Sequence, residues 1–186
     1  MGKRSFKKAF KVQDEYYTPS ILVNMLIPYL EKWERDFIEK EGHRPLIWLP
    51  FDTEDSQYYK ILKERFQVVR SHLNDGKDFF NYQPVQFDII VSNPPFSTKL
   101  DIMERIIFEL KKPFVLLMNM MAINYSEIGN LFQFVNPKIQ FIIPDKKVSF
   151  DGNTSSFCSG YVCYDFIDHT EFVHLPHNNT GNNFSK

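Results

Sequence analysis

The sequence is short of cysteine and of net charge, and each shortage excludes a class of protein. Two cysteines in 186 residues, Cys158 and Cys163, provide neither a disulfide framework nor a metal site, so a reducing compartment is expected. A formal net charge of −1 gives no overall attraction to nucleic acid, so a nucleic-acid-binding surface would have to be local. No apolar run approaches the roughly 20 residues of a membrane span, and no signal-peptide pattern is present. We therefore expect a soluble cytoplasmic protein with no membrane partner.

The chain has the length and composition of one domain. Its 186 residues are 43% hydrophobic and 16% aromatic, which allows a sizeable core. We expect a basic arm at 1–13, a single domain at 14–168 and a polar tail at 169–186, with no internal repeat. The arm, which includes Lys7 and Lys8, is interpreted either as a solvated terminus or as a contact for a phosphate backbone.

Helical and strand patterns alternate along the domain. Apolar residues at helical spacing predict a helix with Ser20 as its N-cap and Gly42 at its end, kinked or divided at Pro28. Short apolar runs predict buried strands at 45–51, 66–70, 87–91, 114–118 and 139–143. Tyr161 to Ile167 alternates like an antiparallel edge strand. This order predicts an α/β fold with a mostly parallel sheet and a C-terminal antiparallel hairpin strand.

The motif around which the chain is organised is Asn93-Pro94-Pro95-Phe96, which follows the β-branched run Ile89 to Val91. Proline has no backbone N–H and a fixed φ, so the strand must end here in a rigid turn. The Asn93 amide and the Phe96 ring are then presented at the carboxyl end of a buried strand, where open α/β sheets bind ligands. A simple double-proline strand terminator would explain the same turn without a function.

This string resembles the Asn-Pro-Pro-Phe motif of S-adenosylmethionine-dependent adenine-N6 DNA methyltransferases. With Pro50-Phe51-Asp52-Thr53-Glu54-Asp55-Ser56, the chain looks like the short phage and mobile-element members over most of 14–167. The resemblance implies a Rossmann-like methyltransferase sandwich that binds S-adenosylmethionine and methylates adenine N6. It gives the catalytic turn to Asn93, Pro94, Pro95 and Phe96. The Asn93 side chain and the Pro94 carbonyl would accept hydrogen bonds from N6, and Phe96 would stack on the target base.

The resemblance also implies a set of cofactor contacts. They are Tyr17, Thr18, Pro19, Pro50, Phe51, Asp52, Asp78 and Phe79, together with His72, which stands where the family has an acid for the ribose hydroxyls. Asp78 would accept a hydrogen bond from the adenine amino group of the cofactor, and Phe79 would pack on its ring. Each segment also has a structural interpretation: an ordinary turn before a helix at 17–19, a capping histidine at His72, and a turn aspartate beside core aromatics at 78–80.

The chain departs from the family at the loop after the first strand. The family has glycines there, which let the backbone approach the cofactor, whereas residues 49–55 contain none. Asp52 or Glu54 could supply the acidic contact instead. The alternative is that cofactor binding is weak or lost, and that the chain is a binding protein on a methyltransferase fold.

The expected substrate contacts are Phe150, which by the resemblance would hold the flipped base or would serve only as a loop anchor, and Lys7 and Lys8 of the basic arm. No segment is long enough for a target-recognition region. We therefore expect a short or relaxed target, single-stranded or partner-presented nucleic acid, or a homodimer that shares recognition. DNA is favoured, while RNA adenine-N6 methylation and protein-amide methylation remain alternatives. No metal site is expected.

Overall fold

A seven-stranded sheet forms the centre of the protein. The computed structural model describes residues 18–150 and 156–176. The strands of the main sheet are β1 (Leu46–Leu49), β2 (Gln67–Arg70), β3 (Ile89–Ser92), β4 (Phe114–Asn119), β5 (Ile139–Pro144), β8 (Ser159–Tyr164) and β9 (Glu171–Val173). They lie in the spatial order β2-β1-β3-β4-β8-β5-β9. A separate two-stranded sheet pairs β6 (Val148–Ser149) with β7 (Ser156–Phe157).

The direction of the strands confirms the predicted fold class. Strands β2, β1, β3 and β4 are parallel neighbours, and β8 runs antiparallel to both β4 and β5. The C-terminal antiparallel hairpin is thus formed by β5 and β8. Its predicted position at the edge of the sheet is wrong, because β8 lies between two strands and Tyr161, Val162 and Cys163 are fully buried. The sheet also extends into the segment assigned to the tail, since β9 pairs with β5.

Within the described ranges, four α-helices flank the sheet. They are α1 (Ser20–Glu41), α2 (Gln57–Leu62), α3 (Lys99–Glu104), which continues as a π-helical segment Arg105–Leu110, and α4 (Ser126–Val135). Short 3-10 turns occur at Leu73–Asp75, Phe96–Thr98 and Met120–Asn124. Within the described part of the chain, no helix is both long enough and apolar enough to cross a membrane.

Helix α1 is continuous through Pro28, so the predicted division of the helix is wrong. Pro28 and Asn24, the residue four positions earlier, are both exposed. The carbonyl that loses its helical hydrogen bond therefore lies on the solvent face, where water can replace the missing N–H. Ser20 is the first helical residue, and Pro19 occupies the N-cap position instead. The predicted end at Gly42 is confirmed, with a left-handed φ of 78°.

Alternate residues of each central strand pack against opposite helical layers. Leu49, Val91 and Tyr161 belong to a core cluster with α1 and α2. Their neighbours Trp48 and Ile90 belong to a second cluster with α3 and α4. The protein is therefore an α/β/α sandwich, in which the loops after the parallel strands meet at one edge of the sheet.

Candidate functional site

The sheet has a topological switch point between β1 and β3. The chain leaves β1 to form β2 on one side and later returns to form β3 on the other side. Open α/β sheets bind ligands in the crevice outside the carboxyl ends of the strands at such a point. The segments 50–52 and 93–96 follow β1 and β3 directly, so the structure brings these two predicted site segments together.

A buried carboxylate links the two loops. Asp52 is 5% exposed, and its Oδ2 accepts a hydrogen bond of 2.5 Å from the hydroxyl of Ser92. Burial raises the pKa of Asp52 to about 6, against hydrogen bonds from Ser92 and Ser56 and the charge of His72, which lower it. Asp52, in the loop after β1, is thus hydrogen-bonded to Ser92, the residue that precedes Asn93.

The Asn-Pro-Pro-Phe turn is held rigidly at the end of β3. Pro94 and Pro95 are buried, while Asn93 and Phe96 are half-buried. The Asn93 Oδ1 atom is itself buried. A 3-10 turn begins at Phe96 and leads directly into α3, so the chain has little freedom at this point. The four predicted catalytic residues therefore stand at the strand tip, next to Asp52.

Glu54 is the other acid that could have served as the cofactor contact, but it is already engaged. Its carboxylate pairs with Arg70 Nη2 at 2.7 Å, and Arg70 Nη1 also reaches Asp75 at 2.6 Å. The Glu54 side chain is largely exposed, whereas Asp52 is buried and hydrogen-bonded to Ser92. The ion pair fixes the glycine-free loop to the end of β2. Contact of either acid with a cofactor stays a prediction.

Two buried tyrosines lie near Asp52, and the sequence patterns did not predict them as part of the site. The hydroxyls of Tyr58 and Tyr161 lie 3.0 Å apart, and Tyr161 donates to the carbonyl of Leu22 at 3.0 Å. Burial, together with the negative charge of Asp52, raises the pKa of both tyrosines, so they stay neutral donors. Thr18, a predicted cofactor residue, is buried here and hydrogen-bonds to Tyr58. Tyr161 lies in an apolar run and Tyr58 in a helical segment, and neither pattern identifies a partner.

The predicted contacts after β2 lie close to the β1 loop. The Phe79 ring is 2% exposed and packs 5.0 Å from Phe51 and 5.5 Å from Trp48. The Asp78 carboxylate accepts hydrogen bonds from the Phe80 amide at 3.1 Å and from Asn81 Nδ2 at 2.7 Å. This arrangement agrees with a turn aspartate beside a core phenylalanine. Contact of either residue with a cofactor stays a prediction.

His72 is also buried, and it caps a turn. Its Nδ1 accepts a hydrogen bond from the Asn74 amide at 3.1 Å. The imidazole lies near enough to Asp52 to lower the pKa of that carboxyl. His72 therefore borders the crevice in a capping role, and its contact with a ribose stays a prediction.

The remaining predicted residues are less closely placed. Phe150 directly follows β6 in the segment between the end of β5 and the start of β8, which is the same edge of the sheet as Asn93. Its ring is half-buried against the cluster that contains α1. Tyr17, Lys7 and Lys8 lie outside the described residues. Within 18–150 and 156–176, no three His, Cys, Asp or Glu side chains are grouped so as to hold a metal ion.

Comparisons with known proteins give weak likenesses of fold. No protein-family model matches the chain, and no curated protein matches it either. A Listeria monocytogenes protein described as a class I S-adenosylmethionine-dependent methyltransferase has a TM-score of 0.47 and 11% identity, with 91% of this chain and 68% of that chain covered. A dimethyladenosine transferase of Plasmodium falciparum has a TM-score of 0.47 and 13% identity, with 80% and 62% covered.

A third solved structure is a Vibrio vulnificus protein described as the modification subunit of a type I restriction enzyme. Its TM-score is 0.44 at 11% identity, with 90% of this chain and 49% of that chain covered. The chain thus spans 62% and 49% of the length of the second and third of these proteins. Such identities and TM-scores do not assign the chain to a family or an activity.

Proposed function

We propose that the chain is an S-adenosylmethionine-dependent methyltransferase that acts on the N6 amine of adenine in DNA. The observation that carries the proposal is the Asn-Pro-Pro-Phe turn at the end of β3, hydrogen-bonded through Ser92 to the buried Asp52 at the switch point. This geometry combines acceptors for an amine with a carboxylate for a cation in one crevice.

The turn supplies what a poor nitrogen nucleophile needs. The lone pair of adenine N6 is delocalised into the ring, so acceptors for both N6 hydrogens favour the tetrahedral geometry of attack. Asn93 offers an amide oxygen, and Pro94 offers a carbonyl with no N–H beside it. Phe96 would stack on the flipped base, because a base inside a duplex cannot reach such a pocket. Positioning and electrostatics are then the main contributions of the protein.

The residues around Asp52 fit a positively charged cofactor. A buried carboxylate is costly to ionise, and a cation held beside it offsets part of that cost. S-adenosylmethionine, when bound, would supply an electrophilic methyl group carried on a sulfonium. We assign to Asp52 the contact with the ammonium or sulfonium charge. Residues that would enclose the rest of the molecule are Tyr17, Thr18, Pro19, Pro50, Phe51, His72, Asp78 and Phe79.

A binding protein without catalytic activity is the second candidate. It is favoured by the absence of glycine from residues 49–55, where close approach of a cofactor to the backbone would require it. Calorimetry with S-adenosylmethionine separates the two candidates. Heat of binding and a thermal shift would support the enzyme, whereas the absence of both signals would favour the binding protein.

The activity itself is tested with labelled S-adenosylmethionine and unmethylated DNA, with RNA of the same sequence as the parallel substrate. We expect label in N6-methyladenine of the DNA, and single-stranded DNA should be the better substrate. Label confined to the RNA would reassign the nucleic acid. Label in neither would contradict the proposal.

Replacement of Asp78 by Ala should weaken S-adenosylmethionine binding. A hydrogen bond to a charged group contributes about 1.5–3 kcal/mol, so we expect the dissociation constant to rise at least tenfold. Asn81→Ala is the matched control, because it removes the side chain that donates to Asp78 and leaves the carboxylate in place. If both variants lose the same thermal stability and keep their affinity for S-adenosylmethionine, Asp78 has only a structural role in the turn.

A further inference from the structure

An exposed aromatic ring and a lysine lie beside the catalytic turn. Tyr125 is 60% exposed, and the Lys99 Nζ atom lies 5.0 Å from the centroid of its ring. Lys99 is the first residue of α3 and follows the 3-10 turn Phe96–Thr98 without a gap. Lys99 is therefore separated from Phe96 by only one turn of the chain, and Tyr125 is placed nearby through its contact with Lys99.

The order of the strands brings Lys99 and Tyr125 to the same edge of the sheet. Strands β3 and β4 are parallel neighbours in register, with Ser92 opposite Leu116, so both chains leave the sheet at the same edge. The 3-10 turn that follows β4 is capped by Asn119, whose side chain accepts a hydrogen bond from the Met121 amide at 3.0 Å. Tyr125 follows that turn, and its carbonyl accepts a hydrogen bond from Gly129 at 2.9 Å. The ring is thus carried on an ordered backbone.

The Tyr125 ring is not explained by packing. Met121, on the same turn, is 68% exposed, so this aromatic and sulfur-containing patch contributes little to the core. Among the described residues, Lys99 forms no ion pair, and partial burial lowers its pKa. A positive charge without an anion beside an exposed ring is complementary to a nucleotide, which has both a phosphate and a π-face.

We propose that Tyr125 and Lys99 hold the unpaired strand next to the target base, with Tyr125 stacking on a neighbouring base and Lys99 contacting its phosphate. The inference rests on the proposed function, because it takes the Asn93 turn as the place where the target base is bound. It assigns part of the strand recognition to a surface outside the catalytic turn. It also accounts for binding by a chain with no net positive charge.

The test is binding of a labelled, single-stranded oligonucleotide with one adenine, measured by fluorescence anisotropy in DNA and RNA forms. Tyr125→Ala should weaken binding roughly tenfold, and Tyr125→Phe should retain it, because stacking needs only the ring. Lys99→Gln should reduce the slope of log affinity against log salt by about 0.7, the value for one phosphate contact on a single strand.

The matched control is Phe134→Ala. Phe134 is 74% exposed and lies on α4 next to Phe108, about 13 Å along the helix axis from Tyr125. We expect this variant to bind as the wild type does. Equal affinity of the Tyr125→Ala and Phe134→Ala variants would overturn the inference, and so would absence of binding by the wild-type chain.

The two proposals fail in different ways. If the wild type transfers no methyl group but Tyr125→Ala still loses oligonucleotide binding, the nucleic-acid surface stands and the enzymatic proposal does not. If methyl transfer occurs and Tyr125→Ala leaves both the affinity and the KM for the oligonucleotide unchanged, the surface is refuted and the enzyme stands. A loss seen only with the RNA form supports the surface and identifies the strand as RNA.

Discussion

Replacement of Asn93 by Ala should reduce methyl transfer by roughly 100- to 1,000-fold, the range seen when one preorganised polar group is removed from an active site. The reason is that the Asn93 oxygen would contact the attacking nitrogen and not the cofactor. The affinity for S-adenosylmethionine and the melting temperature should therefore stay close to the wild-type values. The measurement is single-turnover transfer of labelled methyl to an adenine-containing oligonucleotide.

Asn24→Ala is a suitable control for this experiment. Asn24 is exposed on α1, far along the sequence from the catalytic turn, and its loss should leave the rate unchanged. A wild-type rate in the Asn93 variant would remove this residue from the reaction. A loss of folding in that variant, seen by circular dichroism, would mean that Asn93 acts through the structure of the turn.

The second large effect is the pH dependence of stability caused by Asp52. Burial raises the pKa of Asp52 from 3.8 to about 6, so between these values the folded chain binds this proton more tightly than the unfolded chain does. The stabilisation is complete below the unfolded pKa and is lost as the pH rises through the folded pKa. The loss amounts to about 3 kcal/mol in the free energy of unfolding.

Urea unfolding of the wild type and of Asp52→Asn across this pH range isolates the effect. Other groups titrate in both chains, so the difference between the two free energies of unfolding reports on Asp52 alone. We expect this difference to change by about 3 kcal/mol and then to level off above the folded pKa. A difference that is constant with pH would show that Asp52 is not buried as a carboxylic acid.

Asp52 should also make cofactor binding dependent on pH. A cation favours the ionised carboxylate, so the affinity for S-adenosylmethionine should rise as the pH rises through the pKa of about 6. Asp52→Asn should raise the dissociation constant about 10- to 100-fold at neutral pH, since it removes a charged partner. Glu54→Gln is the control, because Glu54 is paired with Arg70 and should not affect binding. Equal dissociation constants in the two variants would contradict the role of Asp52.

Ser92→Ala offers an independent check on the same carboxylate. The variant keeps Asp52 but removes the hydroxyl that donates to it. Since that hydrogen bond lowers the pKa of Asp52, its loss should move the midpoint of the pH dependence upward. A midpoint that does not move would show that the hydrogen bond is not maintained in solution.

Much of the fold was available from local patterns. The strands that form β1, β2, β3, β4 and β5 were predicted to within a few residues, because runs of apolar residues end at proline, glycine or charged residues. The end of β3 was set most sharply, since Pro94 and Pro95 cannot continue a sheet ladder. The helix through Pro28 was misjudged because the exposure of that residue depends on how α1 packs.

The site was available only in part. The motif at residues 93–96 and the acid at 52 could be selected from the sequence. The sequence also raised the alternative of Asp52 or Glu54 as the acidic contact, without deciding between them. Only the tertiary structure showed that Arg70 pairs with Glu54 and that Asp52 is buried. Two contacts had no local signal: the buried pair Tyr58 and Tyr161, and the exposed Tyr125 with the half-buried Lys99.

The sequence by itself determined the alternation of strands and helices and the rigid turn at the tip of β3, because these depend on side-chain periodicity and on the missing N–H of proline. Only the tertiary structure decided that β8 lies inside the sheet, that Ser92 donates to Asp52 and that Tyr125 meets Lys99. Periodicity shows which face of an element is buried but not which element covers it. The pKa of a carboxylate and the contact partner of an aromatic ring depend on which element covers them.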